Sequence, residues 1–222
     1  LDVGKLFGSR VGESESNMRA VLATVDAIGK SVILLDEFEK SFNAGAVSGS
    51  GDSGTSSRLF GTLLNWLSEK TSTSFMVATC NNFMLLPPEL IRSGRFDEKF
   101  FVDLPTKRER MDIFKVIIAK YNRDPEKFKL EELAIKSELL TGAEIDVAVQ
   151  EAMLYAFDDK MREFTDKDIV RILRKTTPYA KIHEDQLRDL RNNIKGKLQP
   201  ASKVYGGDEN DTDNLMRELS IE

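Results

Sequence analysis

The sequence predicts an α/β part, built as a parallel sheet with flanking helices, followed by a small all-helical domain. Three observations carry that expectation. Two short apolar runs, Val32 to Leu35 and Ser74 to Thr79, are separated by a stretch of helical periodicity, and two strands joined by a helix make a βαβ unit with a right-handed crossover. After Pro105 every periodic stretch has helical spacing. A chain of 222 residues with 41% hydrophobic content has core enough for one large domain or two small ones. The expected division is 1–104 for the α/β part, 105–199 for the helical domain and 200–222 for a flexible Gly- and Asp-rich tail.

Taken in order, Leu1-Asp2-Val3 reads as the end of a strand. Met18, Val21, Leu22, Val25 and Ile28 recur at helical spacing, which predicts an amphipathic helix from about Glu13 that Gly29 stops. Val32-Ile33-Leu34-Leu35 suits a strand buried on both faces of a parallel sheet. Residues 43–57 are rich in Gly and Ser and predict a mobile loop. From Arg58 a second helix carries Leu59, Phe60, Leu63, Leu64 and Leu67, with Trp66 beside the stripe, and Lys99 to Val102 can supply a further strand. Thr106 with Glu109, Thr141 with Glu144 and Thr165 with Asp168 each have the spacing that starts a helix. Their apolar faces follow: Met111, Phe114, Ile118 and Tyr121, then Ile145, Ala148, Val149, Ala152 and Met153, then Ile169, Ile172 and Leu173. Residues 183–197 predict a fourth helix with charge on most faces; it includes the single histidine, His183, to which no catalytic role is assigned.

The totals exclude several function classes. No apolar run approaches the roughly 20 residues that span a bilayer, and the start has no signal-peptide pattern, so a soluble protein without a membrane partner is expected. One cysteine, Cys80, permits neither an intrachain disulfide nor a cysteine-based metal cluster. A reducing compartment fits. A net charge of −5 argues against gross nucleic-acid affinity.

The chemistry gathers at strand ends. Asp36 and Glu37 follow the first apolar strand directly, at the carboxyl edge where parallel sheets bind ligands. Adjacent carboxylates there can divide labour: in phosphoryl transfer the first holds Mg²⁺, commonly through water, and the second orients or deprotonates the attacking water. Asp36 is assigned to metal and Glu37 to water; the alternative is an acidic helix start favoured by its dipole. Asn81, after the second strand, is a neutral amide able to hydrogen-bond a γ-phosphate and the attacking water, or merely a turn residue with Asn82. Arg92 and Arg95 flank Gly94. Two guanidinium groups so spaced suit an anion outside their own subunit, or else form a solvated basic turn.

Five blocks in order, Val11 to Arg19, Leu34 to Glu37, Ala78 to Asn82, Leu86 to Asp97 and Thr141 to Ile145, resemble the signature blocks of the AAA clade of AAA+ ATPases. The run Gly51 to Arg58 and Phe100 to Pro105 resemble most the AAA ATPases of chloroplast genomes and cyanobacteria. The resemblance implies a partial AAA+ nucleotide-binding domain followed by a helical lid, using ATP and Mg²⁺. It implies that Asp36 and Glu37 are the Walker B pair, Asn81 the sensor-1 asparagine, and Arg92 and Arg95 arginine fingers acting on ATP of a neighbouring subunit. It further implies that Gly142 and Ala143 form the sensor-2 segment approaching the nucleotide, that Ile117 lies where relatives contact adenine, and that Arg10 and Val11 occupy a pore loop. The partners implied are copies of itself in a ring, usually a hexamer, and a macromolecular client, protein rather than nucleic acid. The implied location is the cytoplasm or the chloroplast stroma.

Two departures qualify the resemblance. The family grips phosphates with Gly-x-x-x-x-Gly-Lys-Ser/Thr. Here the one Gly-Lys-Ser, at 29–31, has Thr24 where the first glycine belongs and is expected between a helix and a strand, the reverse of P-loop order. The family's P-loop would fall before residue 1, and a sheet without its central strand should expose apolar edges. Threading relatives also carry an aromatic residue just before the Gly-Glu-Ser-Glu glycine, where Ser9-Arg10-Val11 stands here; Arg10 can grip an extended polymer or be an exposed loop charge. The competing class is a non-enzymatic ring or scaffold module that binds no ATP.

Overall fold

The computed structural model describes residues 13–39, 53–69, 73–91 and 94–202. It divides into two compact units, with the break between Glu98 and Lys99. A mixed helix and strand part is followed by a helical one.

In the first unit the described elements are α1 (Glu13–Ile28), β1 (Val32–Leu35), α2 (Ser53–Glu69), β2 (Phe75–Ala78) and a short α3 (Pro88–Ile91). The apolar spacing of α1 puts Met18, Leu22 and Val25 on one side. With Leu63 and Leu64 of α2 they close over Ile33 and Leu35 of β1 to make the unit's core. Trp66 Nε1 donates to Asp26 Oδ2 at 2.9 Å, tying α2 to α1. α1 ends where expected, at Gly29, which takes the positive φ of +72° that glycine adopts without strain. Gly29-Lys30-Ser31 therefore does lie after a helix and before a strand.

β1 and β2 pair in parallel, Val32 opposite Phe75 through Leu35 opposite Ala78. With α2 between them they form the anticipated βαβ unit. Two expectations are corrected. β1 is buried on one face only: Ile33 and Leu35 are 6% and 2% exposed, whereas Val32 and Leu34 are 75% and 48% exposed. The reason is that α1 and α2 share one core with Ile33 and Leu35, and among the described residues no helix covers the other face. Phe75 and Val77 continue that exposed apolar face on β2. The expected loop 43–57 is also too long at its C-terminal end, because α2 begins at Ser53. Low helix propensity over five small residues is overridden when they extend a helix anchored by a packed apolar stripe. Residues 43–52 lie outside the described residues.

The second unit contains β3 (Phe100–Phe101), α4 (Lys107–Lys120), α5 (Leu130–Lys136), α6 (Gly142–Asp158), α7 (Asp166–Leu173), α8 (Tyr179–Ile182), α9 (Glu184–Ile194) and β4 (Gln199–Pro200). The strand anticipated at Lys99 to Val102 is two residues long and pairs in parallel with β4, so it belongs to this unit. Gln199 and Pro200, at the expected start of the tail, are in β4; residues 203–222 lie outside the described residues. Phe114, Ile118, Leu133, Ile145, Val149 and Ile169 are all 0% exposed and form the centre of the core. Two starts are capping boxes: Thr106 N donates to Glu109 Oε2 and Thr141 N to Glu144 Oε2, both at 2.8 Å, while each threonine hydroxyl accepts the return N–H at 3.3 Å. Thr165 N likewise donates to Asp168 Oδ2 at 2.8 Å. Arg191 grips Asp103 through two bonds of 2.6 and 2.9 Å, fastening α9 to the segment after β3.

Arg162 makes a two-pronged contact with the buried Asp168, at 2.7 and 2.8 Å. These bonds, helped by Thr165 and opposed by burial, hold the Asp168 carboxyl down at about 2. A carboxylate held low in the folded state contributes stability that is complete above its unfolded value of about 3.9 and disappears as pH falls through the folded value. Thermal unfolding should therefore show wild type above Asp168→Asn at pH 7, with the gap closing between about pH 4 and pH 2. In chemical denaturation Ile145→Ala should lower stability by roughly 2–5 kcal/mol, as expected for an emptied core position.

Candidate functional site

The in-register pairing of β1 and β2 brings their carboxyl ends together, and the ladder continues into the turns. Thr79 N donates to Leu35 O and Phe38 N donates to Thr79 O, both at 2.9 Å. Residues 36–39 turn immediately after β1. Within that turn Glu37 takes a φ of +50°, in the left-handed region, which costs an ordinary residue about 1 kcal/mol. Its N–H is fixed by Thr79 Oγ1 at 3.0 Å.

Thr79 is thus a two-way link. Its hydroxyl accepts from Glu37 N and donates to Asp36 Oδ1 at 2.5 Å, so one side chain orients the first carboxylate and locks the backbone of the second. Asn81 completes the arrangement: its Nδ2 donates to Glu37 Oε1 at 3.2 Å, and its own N–H donates to Glu39 Oε1 at 3.1 Å. Asp36 and Asn81 are exposed, Glu37 is half-buried and Glu39 is buried at 4% exposure. Burial, followed by the charge of Glu39, pushes the neighbouring Cys80 thiol up, with a backbone hydrogen bond from Asn82 pulling the other way. That favours a neutral thiol and disfavours Cys80 as a nucleophile.

Of the residues expected from sequence, the structure brings Asp36, Glu37 and Asn81 into one constellation. Arg95 lies in the same unit, with Nη1 hydrogen-bonded to the carbonyl of Glu89 in α3. Arg92, Arg10 and Val11 lie outside the described residues. Gly142 and Ala143 open α6 in the second unit, where a methyl group on Gly142 would meet only Ile113, at 3.8 Å. Ile117 is 7% exposed and enclosed in the helical core, so its expected adenine contact rests on the resemblance. Sequence reading missed Thr79 and Glu39. Their one signal was polarity at positions flanking the assigned residues, and polar residues at strand ends are too common to single out.

Among the described residues no group of three or more His, Cys, Asp and Glu gathers as a metal site, and no helix is long and apolar enough to cross a membrane. Residues 1–104 match the sequence profile of the ATPase family associated with various cellular activities, AAA. Residues 1–104 belong to the AAA family. The AAA domain-containing protein ycf46 of Trieres chinensis is 45% identical over 204 residues, 91% of this chain and 40% of that protein. The cell division cycle protein 48 homolog of Archaeoglobus fulgidus is 27% identical over 193 residues, 86% of this chain and 26% of that protein. The ATP-dependent zinc metalloprotease FtsH 2 of Sphaerobacter thermophilus is 35% identical over 108 residues, 49% of this chain and 16% of that protein. The chain spans about two fifths of the length of the ycf46 relative.

Removing the Thr79 hydroxyl tests the link. Thr79→Val should destabilise the first unit by about 1–3 kcal/mol through two lost hydrogen bonds, each worth about 0.5–1.5, while Thr79→Ser should recover most of the loss in urea denaturation.

Proposed function

We propose that the protein carrying this chain hydrolyses ATP at the boundary between subunits of a ring, a hexamer, and couples turnover to the remodelling of a protein client. The observation that carries this reading is the contact of Asn81 with Glu37 beside Asp36 at two paired strand ends. AAA membership and the ATP dependence in the name of the FtsH 2 relative support it.

The residues fit the cofactor chemistry. Asp36 is exposed, with Oδ1 held by Thr79, and stands without a cluster of other ligands among the described residues. That suits Mg²⁺, which binds through one or two carboxylates and takes its remaining ligands from water and phosphate. Bound Mg-ATP would supply the γ-phosphoryl group and neutralise charge developing on it. Glu37 then orients and polarises the attacking water, and the Asn81 amide restricts the carboxylate to one rotamer while offering a neutral donor. Arg92 and Arg95 are proposed to stabilise phosphoryl charge across the subunit boundary. Gly142, Ala143 and Ile117 are proposed as the lid's contribution to nucleotide binding, and Arg10 with Val11 as the pore-loop contact to the client. For location we propose the cytoplasm or the chloroplast stroma, the latter on the resemblance to chloroplast-encoded AAA proteins.

In the full-length protein Glu37→Gln should bind ATP with near-native affinity and lose hydrolysis by about 10²-fold or more, the scale of general-base effects; a phosphate-release assay with parallel nucleotide binding checks it. Native turnover in that variant rules out the role given to Glu37. Failure of the wild type to bind ATP favours the scaffold reading. Gly142→Ala should leave the melting temperature unchanged or slightly raised, because the added methyl meets only an ordinary contact and restricts the unfolded chain. If the lid backbone meets the nucleotide, the same variant weakens ATP binding several-fold.

A further inference from the structure

Glu39 stands two residues beyond the assigned pair and is 4% exposed. Its Oε2 is the buried side-chain atom among the described residues that has no hydrogen-bond partner. A half-satisfied carboxyl in a protein interior is costly, and an apolar residue of similar volume would remove the cost. Buried polar atoms left in this state are uncommon in native proteins and call for a reason.

The reason lies in what the other oxygen does. Glu39 Oε1 accepts the N–H of Asn81 at 3.1 Å, and the side chain of Asn81 donates to Glu37 Oε1 at 3.2 Å. A buried group therefore fixes the peptide from which an exposed amide reaches the water-orienting carboxylate. The turn after β1 supplies both ends of this chain, since Glu37 and Glu39 bracket Phe38, whose N–H is already held by Thr79 O at 2.9 Å. Without Glu39 the loop after β2 keeps its anchor at Thr79 but loses the one at Asn81.

We infer that Glu39 is a positioning residue: acting through the Asn81 backbone, it holds the Asn81 side chain in register with Glu37 for the attack of water. This rests on the ATPase reading above and deepens it. Glu39 touches no reacting atom.

The test uses the full-length protein with Glu39→Gln and Glu39→Leu. Glutamine keeps an acceptor oxygen at the same reach, and leucine keeps volume without it. Glu39→Gln should retain kcat within about twofold, and Glu39→Leu should lose about tenfold or more in kcat while KM for ATP changes by about twofold or less, the pattern of a misplaced group rather than lost binding. Amide hydrogen exchange reads the contact itself without nucleotide: the Asn81 N–H should be protected in wild type and Glu39→Gln and exchange about tenfold faster in Glu39→Leu. A folded Glu39→Leu with native kcat, unchanged Asn81 protection in that variant, or an equal kcat loss in both variants overturns the proposal. If Glu39→Leu does not fold, Glu39→Asp replaces it, since a carboxyl withdrawn by one methylene should lose both Asn81 protection and kcat; retention of both overturns the proposal. Glu37→Gln is run in parallel. Native hydrolysis there defeats the ATPase reading, while the exchange measurement still judges the Glu39 to Asn81 contact by itself.

Discussion

The parallel, in-register pairing of β1 with β2 is the constraint on which the site depends. Leu35 stands opposite Ala78, so the two chains leave the sheet at the same level and the residues that follow are forced into contact. A slip of one residue would turn every side chain to the opposite face and separate Asp36 from Thr79. The burial of Ile33 and Leu35 against α1 and α2 resists that slip, because an offset strand would exchange those residues for solvent-facing ones. The packing of an apolar stripe thus sets the geometry of polar groups several residues away.

At the strand ends the hydrogen bonds are economical. One hydroxyl, Thr79 Oγ1, serves both Asp36 and the backbone of Glu37. One asparagine, Asn81, uses its side chain on Glu37 and its backbone on Glu39. The left-handed φ of Glu37 is the local strain this network sustains. An ordinary residue holds such a conformation when its surroundings determine it on several sides, and here the Thr79 hydroxyl and the Asn81 amide both do so. The site is consequently a property of two turns taken together.

The second unit is organised differently. Two of its helices, α4 and α6, begin at capping boxes written within a few residues of sequence, and its core is centred on fully buried side chains. Glu144 serves twice, closing the Thr141 cap through Oε2 and accepting Tyr179 N through Oε1 at 2.7 Å. That second bond joins the start of α6 to α8 and turns a local capping device into a tertiary one. The buried Asp168 is similarly shared between its own helix start and Arg162.

Local chemistry was legible in the residues. The stop at Gly29, the caps at Thr106, Thr141 and Thr165, the two apolar strands and the adjacency of Asp36 and Glu37 all follow from spacings of a few positions, at which backbone geometry alone decides what can meet. The first turns of α2 were not legible, because small polar residues have no helical preference and join the helix only once its apolar stripe is packed. The one-sided burial of β1 was hidden for a related reason: four consecutive apolar residues say that a strand can be covered twice, and only the placement of α1 and α2 decides which face is. Thr79 and Glu39 stayed invisible because their partners lie 40 or more positions away in the chain, at distances that the folded sheet alone closes. Which residue types stand at each strand end can be read from the linear order alone. The folded sheet settles which of them touch, because a hydrogen bond requires its partners to be placed within a few tenths of an ångström of about 2.9 Å, which no linear spacing encodes.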